Sequence, residues 1–219
     1  MATEGQPARR VPNVVMLAII GVALLALVAV VVTRGGSSSS SSSPPASGSS
    51  SNVETRPVAV AGTPLPRFDS SGGADAAIGA RAPVLTGETF DGAKITIGDT
   101  GPAVIVFVAH WCPHCRREVP FLTSYLHAHG NPKGVTLDAV ATSVDPTAPN
   151  YPPSKWLRDA GWTVPTLVDD AHNGAADAFG LSAFPYFVAL DRSGKVVARS
   201  SGELEAPALE TLFAAARNG

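Results

Sequence analysis

Cysteine is scarce in this chain: among 219 residues only Cys112 and Cys115 carry a thiol. Two thiols in so long a chain make no disulfide framework, so a pair this closely spaced points to redox or metal chemistry. Zinc needs four ligands, and besides the two cysteines the chain offers only His110, His114, His127, His129 and His172. No second ligand pair stands at finger-like spacing, so no metal and no cofactor is expected. Cys115 is followed by Arg116 and not by His, which excludes haem attachment. A net charge of −2 leaves no basic excess for a nucleic-acid partner. No internal repeat is present, and at 45% apolar residues the chain has enough for one sizeable core.

The longest apolar stretch is Val14 to Val32. As a helix its nineteen residues span about 28 Å, close to the ~30 Å of a bilayer's hydrocarbon. A cleaved signal would have a shorter apolar region ending in small residues, whereas this one ends Val-Val-Thr-Arg. A retained anchor is therefore expected. Arg9 and Arg10 precede it and only Arg34 closely follows, which places 1–13 in the cytoplasm and the rest outside. That pattern accounts for the two arginines without a twin-arginine signal. No Cys follows the span, so a lipidated N-terminal Cys is excluded.

Gly35 to Asn52 is nearly all Ser and Gly, with Pro44 and Pro45, too polar to bury itself. Its eighteen residues act as a tether of about 25 Å root-mean-square span. Residues 33–77 read as a linker, within which Val58-Ala59-Val60 and Leu65-Pro66-Arg67-Phe68 lay a short edge element on the domain. The compact domain is 78–219.

Within it, Ala82 to Leu85 and Glu88 to Ile97 form short strands around Asp91-Gly92. Ala103 to Ala109 is apolar throughout, as a strand buried on both faces is, and a helix follows from about Pro113 to His129. Val135 to Ser143 is a further strand. After a Pro-rich loop come a helix Ser154 to Ala160, with Ser154 as its cap, and a strand Thr163 to Val168. A short helix Asn173 to Phe179, a strand Pro185 to Leu190, an Asp191-Arg192-Ser193-Gly194 turn into Lys195 to Ser200, and a helix Ala206 to Arg217 complete the chain. This order predicts an α/β fold, a mixed sheet flanked by helices.

Both cysteines fall where the buried strand gives way to the helix, in Trp111-Cys112-Pro113-His114-Cys115. Two thiols two residues apart at a helix opening can close a disulfide, and the helix N-terminus favours a thiolate on Cys112. His114 at the same opening adds to that preference by charge or hydrogen bonding. Trp111 packs and forms a rim for substrate. His110 reads as structural and Glu118 as a charge on the helix surface.

Together these residues resemble the thioredoxin-like fold of the redoxin branch, of the membrane-anchored TlpA and ResA type. The matching stretches are Ala82-Pro83, Asp91-Gly92, Phe107 through Pro120 around the Cys pair, and Gly180 through Pro185 before Asp191-Arg192-Ser193-Gly194. The resemblance implies that Cys112 attacks or is attacked, that Cys115 is the buried resolving thiol, and that Phe184-Pro185 is a cis peptide packed against the pair. Pro165 is a rival for that proline, but only Pro185 opens a strand leading into the terminal hairpin.

Two departures bear on direction. Thioredoxins similar to this chain carry a buried Asp six residues before the first Cys, where Val106 stands. The dipeptide Pro113-His114 resembles that of the strongly oxidising DsbA type. The expected function is thus a membrane-tethered extracytoplasmic thiol-disulfide oxidoreductase, exchanging disulfides with protein substrates and recharged by a redox partner, as an oxidant or isomerase. Its potential is expected above thioredoxin's ~−270 mV. Alternatives are a reductase for apocytochrome or other envelope thiols, and a tethered binding module whose Cys112–Cys115 disulfide is merely structural. A peroxidase needs no partner thiol at this spacing.

Overall fold

Among the described residues the apolar runs become strands and the periodic runs become helices. The computed structural model describes residues 54–99 and 101–219. In order it contains β1 (Ala59–Ala61), β2 (Val84–Glu88), β3 (Lys94–Ile97), β4 (Ala103–Val108), α1 (Cys115–His129), β5 (Thr136–Ala141), α2 (Pro153–Asp159), β6 (Thr166–Val168), α3 (Gly174–Ala178), β7 (Tyr186–Leu190), β8 (Val196–Ser201) and α4 (Ala206–Asn218). The expected tail 1–13, anchor Val14 to Val32 and tether Gly35 to Asn52 lie outside the described residues. Among the described residues no helix is long and apolar enough to cross a membrane.

Five strands form a mixed sheet in the order β6-β5-β4-β7-β8. β4 pairs in parallel with β5 and antiparallel with β7, so it is central. Its side chains alternate between two cores. Val104, Val106 and Val108 pack with Val119, Leu122 and Tyr125 of α1 and with Leu209, Leu212 and Phe213 of α4. Ala103, Ile105 and Phe107 pack with Ala175, Ala176 and Ala178 of α3, Phe179, and Leu85 and Ile97 of the small antiparallel sheet β1-β2-β3. A strand covered on both faces has no use for polar residues, which is why β4 reads Ala-Val-Ile-Val-Phe-Val.

The linker boundary moves. The described part of the expected linker, from Glu54 to Ala77, lies against the domain. β1 pairs with β2, Leu65 is buried, and the backbone N–H groups of Arg56, Leu65 and Phe68 donate to the carbonyls of Asp169, Ala178 and Gly180. Its Pro, Gly and Ser content does keep the chain irregular, but hydrogen bonds to other elements fix an irregular backbone as firmly as a ladder does.

The cap of α2 is also corrected. Pro152 occupies the cap position, while the Ser154 N–H and hydroxyl donate to Glu54 Oε2 and Oε1 at 3.0 and 2.7 Å. The first turn of a helix leaves N–H groups without partners, and a carboxylate from the incoming segment supplies the acceptor.

The same segment is pinned at its far end by Arg199 of β8. Its buried guanidinium pairs with Asp75, donates to Pro66 O at 2.8 Å and to Tyr186 Oη at 3.1 Å, and lies over the Phe68 ring. Removing one partner leaves the other charge buried and alone. Asp75→Ala is therefore expected to cost about 3 kcal/mol in urea unfolding. An unchanged midpoint would mean that the segment is not held by this pair.

Candidate active site

β4 ends at Val108, and the chain then turns through Ala109, His110 and Trp111 to reach the cysteines before α1 begins at Cys115. The turn is closed by Cys112 N–H donating to Ala109 O at 3.1 Å, and the first helical turn by Arg116 N–H donating to Cys112 O at 3.1 Å. Both cysteines are free thiols. They differ in access: Cys112 retains 5% exposure and Cys115 none.

Cys112 Sγ faces the carbonyl oxygen of Phe184 at 3.9 Å, a long contact for a weak thiol donor. Phe184–Pro185 is cis, and Pro165 is not. Phe184 meets Trp111 edge to face at 5.7 Å. Pro113 and His114 are exposed and Pro185 is buried. The structure therefore brings Trp111, Pro113, His114, Phe184 and Pro185 around the pair, with Cys112 the less buried of the two thiols.

Cys115 accepts a hydrogen bond from Ala109 N–H at 3.5 Å. Burial pushes its thiol well above the ordinary range, against the pull of that N–H, and Cys112 and Glu118 push in the same direction as burial.

Glu118 is not the surface charge expected. It is 1% exposed, its Oε2 accepts from Leu204 N–H at 2.9 Å, and its Oε1 has no protein partner. Burial raises its carboxyl to about 7, opposed by the Leu204 N–H and reinforced by the charge of Glu203. Val106, where thioredoxins carry their acid, is fully buried among apolar neighbours. A buried acid stands instead at Glu118, one helical turn beyond Cys115 on α1. The signal was present, because residues three apart on a helix share a face, and Glu118 follows Cys115 by three.

His114 does not turn to the sulfur. Its Nδ1 donates to Glu203 Oε1 at 2.6 Å, and Arg117 Nη2 lies 3.0 Å from the same nitrogen. Arg117 grips Glu203 through Nε to Oε2 at 2.8 Å and Nη2 to Oε1 at 2.6 Å. These two donors hold the Glu203 carboxyl down at about 2.

His110 is structural, and its role is specific. Buried, it donates from Nδ1 to Pro149 O at 2.8 Å and accepts at Nε2 from Asp145 N–H at 3.2 Å, which assigns the hydrogen to Nδ1. Its own carbonyl accepts from Asn150 Nδ2. The loop so anchored includes Ser143, whose carbonyl accepts the Trp111 indole N–H at 2.6 Å and whose N–H donates to Asn173 Oδ1. Ser143, Asn150 and Asn173 are the non-glycine residues at positive φ among the described residues. Such backbone costs on the order of 1–3 kcal/mol per residue and is held in place here by the hydrogen bonds around the Trp111 rim.

The Redoxin family model matches residues 61–213. The thiol-disulfide oxidoreductases ResA of Bacillus thuringiensis (strain Al Hakam) and of Bacillus anthracis are each 28% identical over 136 residues, covering 61% of this chain and 75% of theirs. Among solved structures, a thiol:disulfide interchange protein of the DsbE type from Chlorobium tepidum is similar with a TM-score of 0.53 at 24% identity, over 64% of this chain and 96% of its own. StoA from Bacillus subtilis gives a TM-score of 0.50 at 22% identity, over 62% and 98%. At these identities the structures speak for the fold.

The raised carboxyl of Glu118 has a measurable consequence. Its folded value of about 7 lies above the ordinary 4.5, so the neutral acid is the form the fold accommodates. Its contribution to stability is complete below pH 4.5 and is lost as pH rises through 7. Urea midpoints of Glu118→Gln should therefore gain on the wild type between pH 5 and pH 8. Parallel pH profiles for the two proteins would show that Glu118 titrates normally.

Proposed function

The chain belongs to the Redoxin family, and from that premise we propose a thiol-disulfide oxidoreductase that exchanges disulfides with protein clients through Cys112 and Cys115. The observation that carries this reading is the asymmetry of the pair: one thiol keeps a small exposure opposite the Phe184 carbonyl, and the other has none.

Exchange then runs as two displacements. With the site oxidised, a client thiolate attacks Cys112 Sγ, a client–Cys112 disulfide forms, and the Cys112–Cys115 bond breaks to leave a Cys115 thiolate. That thiolate is costly where it is buried, so it takes a proton, and the neutral Glu118 carboxyl on the same helical face is the donor. A second client thiolate attacks the client's sulfur and expels Cys112 as thiolate. Two electrons pass from the client to the pair. In reverse, Glu118 as carboxylate takes the proton from Cys115 so that it can resolve the mixed disulfide.

The cis proline beside Cys112 withholds a backbone N–H and offers an extended client an edge at Phe184. Oxidation or isomerisation is the favoured direction, because the pair stands at a helix start, where the dithiol is stabilised, and the Pro113-His114 dipeptide resembles that of the oxidising DsbA type. The opposite direction, reduction of disulfides in apocytochrome or other envelope proteins, is supported by one observation: the His114 ring is engaged by Glu203. The unidentified redox partner that recharges the pair differs accordingly.

Cys115→Ser should accumulate a mixed disulfide with a client and Cys112→Ser should accumulate none. Both variants should fold, since the pair closes too short a loop to hold the domain together. Iodoacetamide should label Cys112 of the reduced protein ahead of Cys115. Adducts mapped to Cys115, or absence of both insulin reduction and reduced-RNase oxidation, would overturn the reading.

We further propose that Val14 to Val32 anchors the chain in the cell membrane with the N-terminus cytoplasmic and the redox domain outside. Protease applied to cells with a permeable outer layer should cut between Gly35 and Asn52 and release the domain. A mature chain beginning near Thr33 would instead indicate a cleaved signal.

A further inference from the structure

The turn after β8 touches the active site three times. Gly202, at φ +91°, donates its N–H to Pro185 O at 2.8 Å. Leu204 donates to the buried carboxyl of Glu118, and between them Glu203 holds both His114 and Arg117. A turn tied on either side to the cis proline and to the buried acid gives Glu203 little freedom to drift from His114 and Arg117. The Arg117 contact is bidentate, the geometry in which guanidinium and carboxylate are most specific.

Resting on the oxidoreductase reading above, we propose that Glu203 is a positioning residue that sets the redox poise of the pair by drawing His114 and Arg117 onto its own carboxylate and away from the Cys112 sulfur. Arg117 and Cys112 are near enough for charge on one to act on the other. The carboxyl of Glu203, held at about 2, keeps its negative charge at every physiological pH. While Glu203 is in place, the positive charge at the start of α1 is spent largely on a carboxylate. Without it, His114 and Arg117 face the thiolate, the dithiol form gains stability, and the disulfide becomes the stronger oxidant.

The test is the exchange of the full chain with glutathione. In it the protein disulfide and two glutathione thiols give the protein dithiol and one glutathione disulfide, a two-electron transfer with thiol protons conserved. Glu203→Gln should shift this equilibrium toward the protein dithiol by on the order of threefold, the range of exposed charge pairs. That is a rise of about 14 mV at ~30 mV per tenfold for a two-electron couple. The shift should shrink in 1 M salt, where exposed charges are screened. Glu203→Asp, which keeps the charge on a shorter stem, should restore most of the original poise. In a His114→Ala background the same substitution should shift the equilibrium less, because one of the two groups it releases is gone.

An unchanged or lowered potential in Glu203→Gln, with exchange otherwise normal, would overturn this inference and leave the oxidoreductase reading standing. An equal shift with and without His114 would remove His114 from the assignment. A wild-type pair that never exchanges with glutathione and never reduces insulin would overturn both.

Discussion

β4 has no polar face, and both of its sides must be covered. Helices α1 and α4 cover one, α3 and the small antiparallel sheet cover the other, and the strand ends only where the covering ends. The chain can turn toward solvent at that point and nowhere earlier. Trp111 and Cys112 occupy this first exit, and α1 must begin at once so that Val119 and Leu122 can return to the same core. Cys115, as its first residue, is carried underneath. The difference in access between the two thiols is thus a consequence of burying one strand twice.

That placement decides how charge is distributed around the site. Under the strand's end the surroundings are apolar, and a thiolate on Cys115 or a carboxylate on Glu118 has no water to pay for its ionisation. Both groups are pushed toward their neutral forms, Glu118 to about 7. Two groups that resist charge and share one helical face are suited to exchange a proton in place of each holding an ion. Outside, where solvent screens, charge is plentiful: Arg117 and His114 gather on Glu203. Cys112 lies at the boundary between these two regimes.

Much of this was legible in the sequence because it rests on local pattern. The apolar run of β4, the Cys-x-x-Cys after it, the Asp91-Gly92 and Asp191 to Gly194 turns, and the periodicity of α1 and α4 each signal their structure within a few residues. What was illegible joins residues far apart. Glu54 caps a helix at Ser154, Arg199 fixes Asp75, and Glu203 reaches His114; no window of sequence contains both members of any of these pairs. Glu118 was misread for a related reason. A charged residue on a helix is usually solvated, whereas this one is buried with its carboxyl bonded to the N–H of Leu204, a residue far away in the chain.

The Pro113-His114 dipeptide therefore cannot by itself carry the redox direction that it suggests. A histidine beside a thiolate stabilises the dithiol only to the extent that its charge acts on sulfur, and here the nearest acceptor of its proton is a carboxylate 2.6 Å away. The helix start still acts, since α1 begins at Cys115 and the positive end of its dipole lies at the pair whatever the side chains do. Of the two contributions that favour an oxidant, the backbone's is built into the fold, while the side chain's is shared with Glu203 and Arg117. A scaffold of this kind can be moved along the redox scale by residues that touch neither cysteine, through the turn after β8 that reaches the dipeptide, the cis proline and the buried acid together.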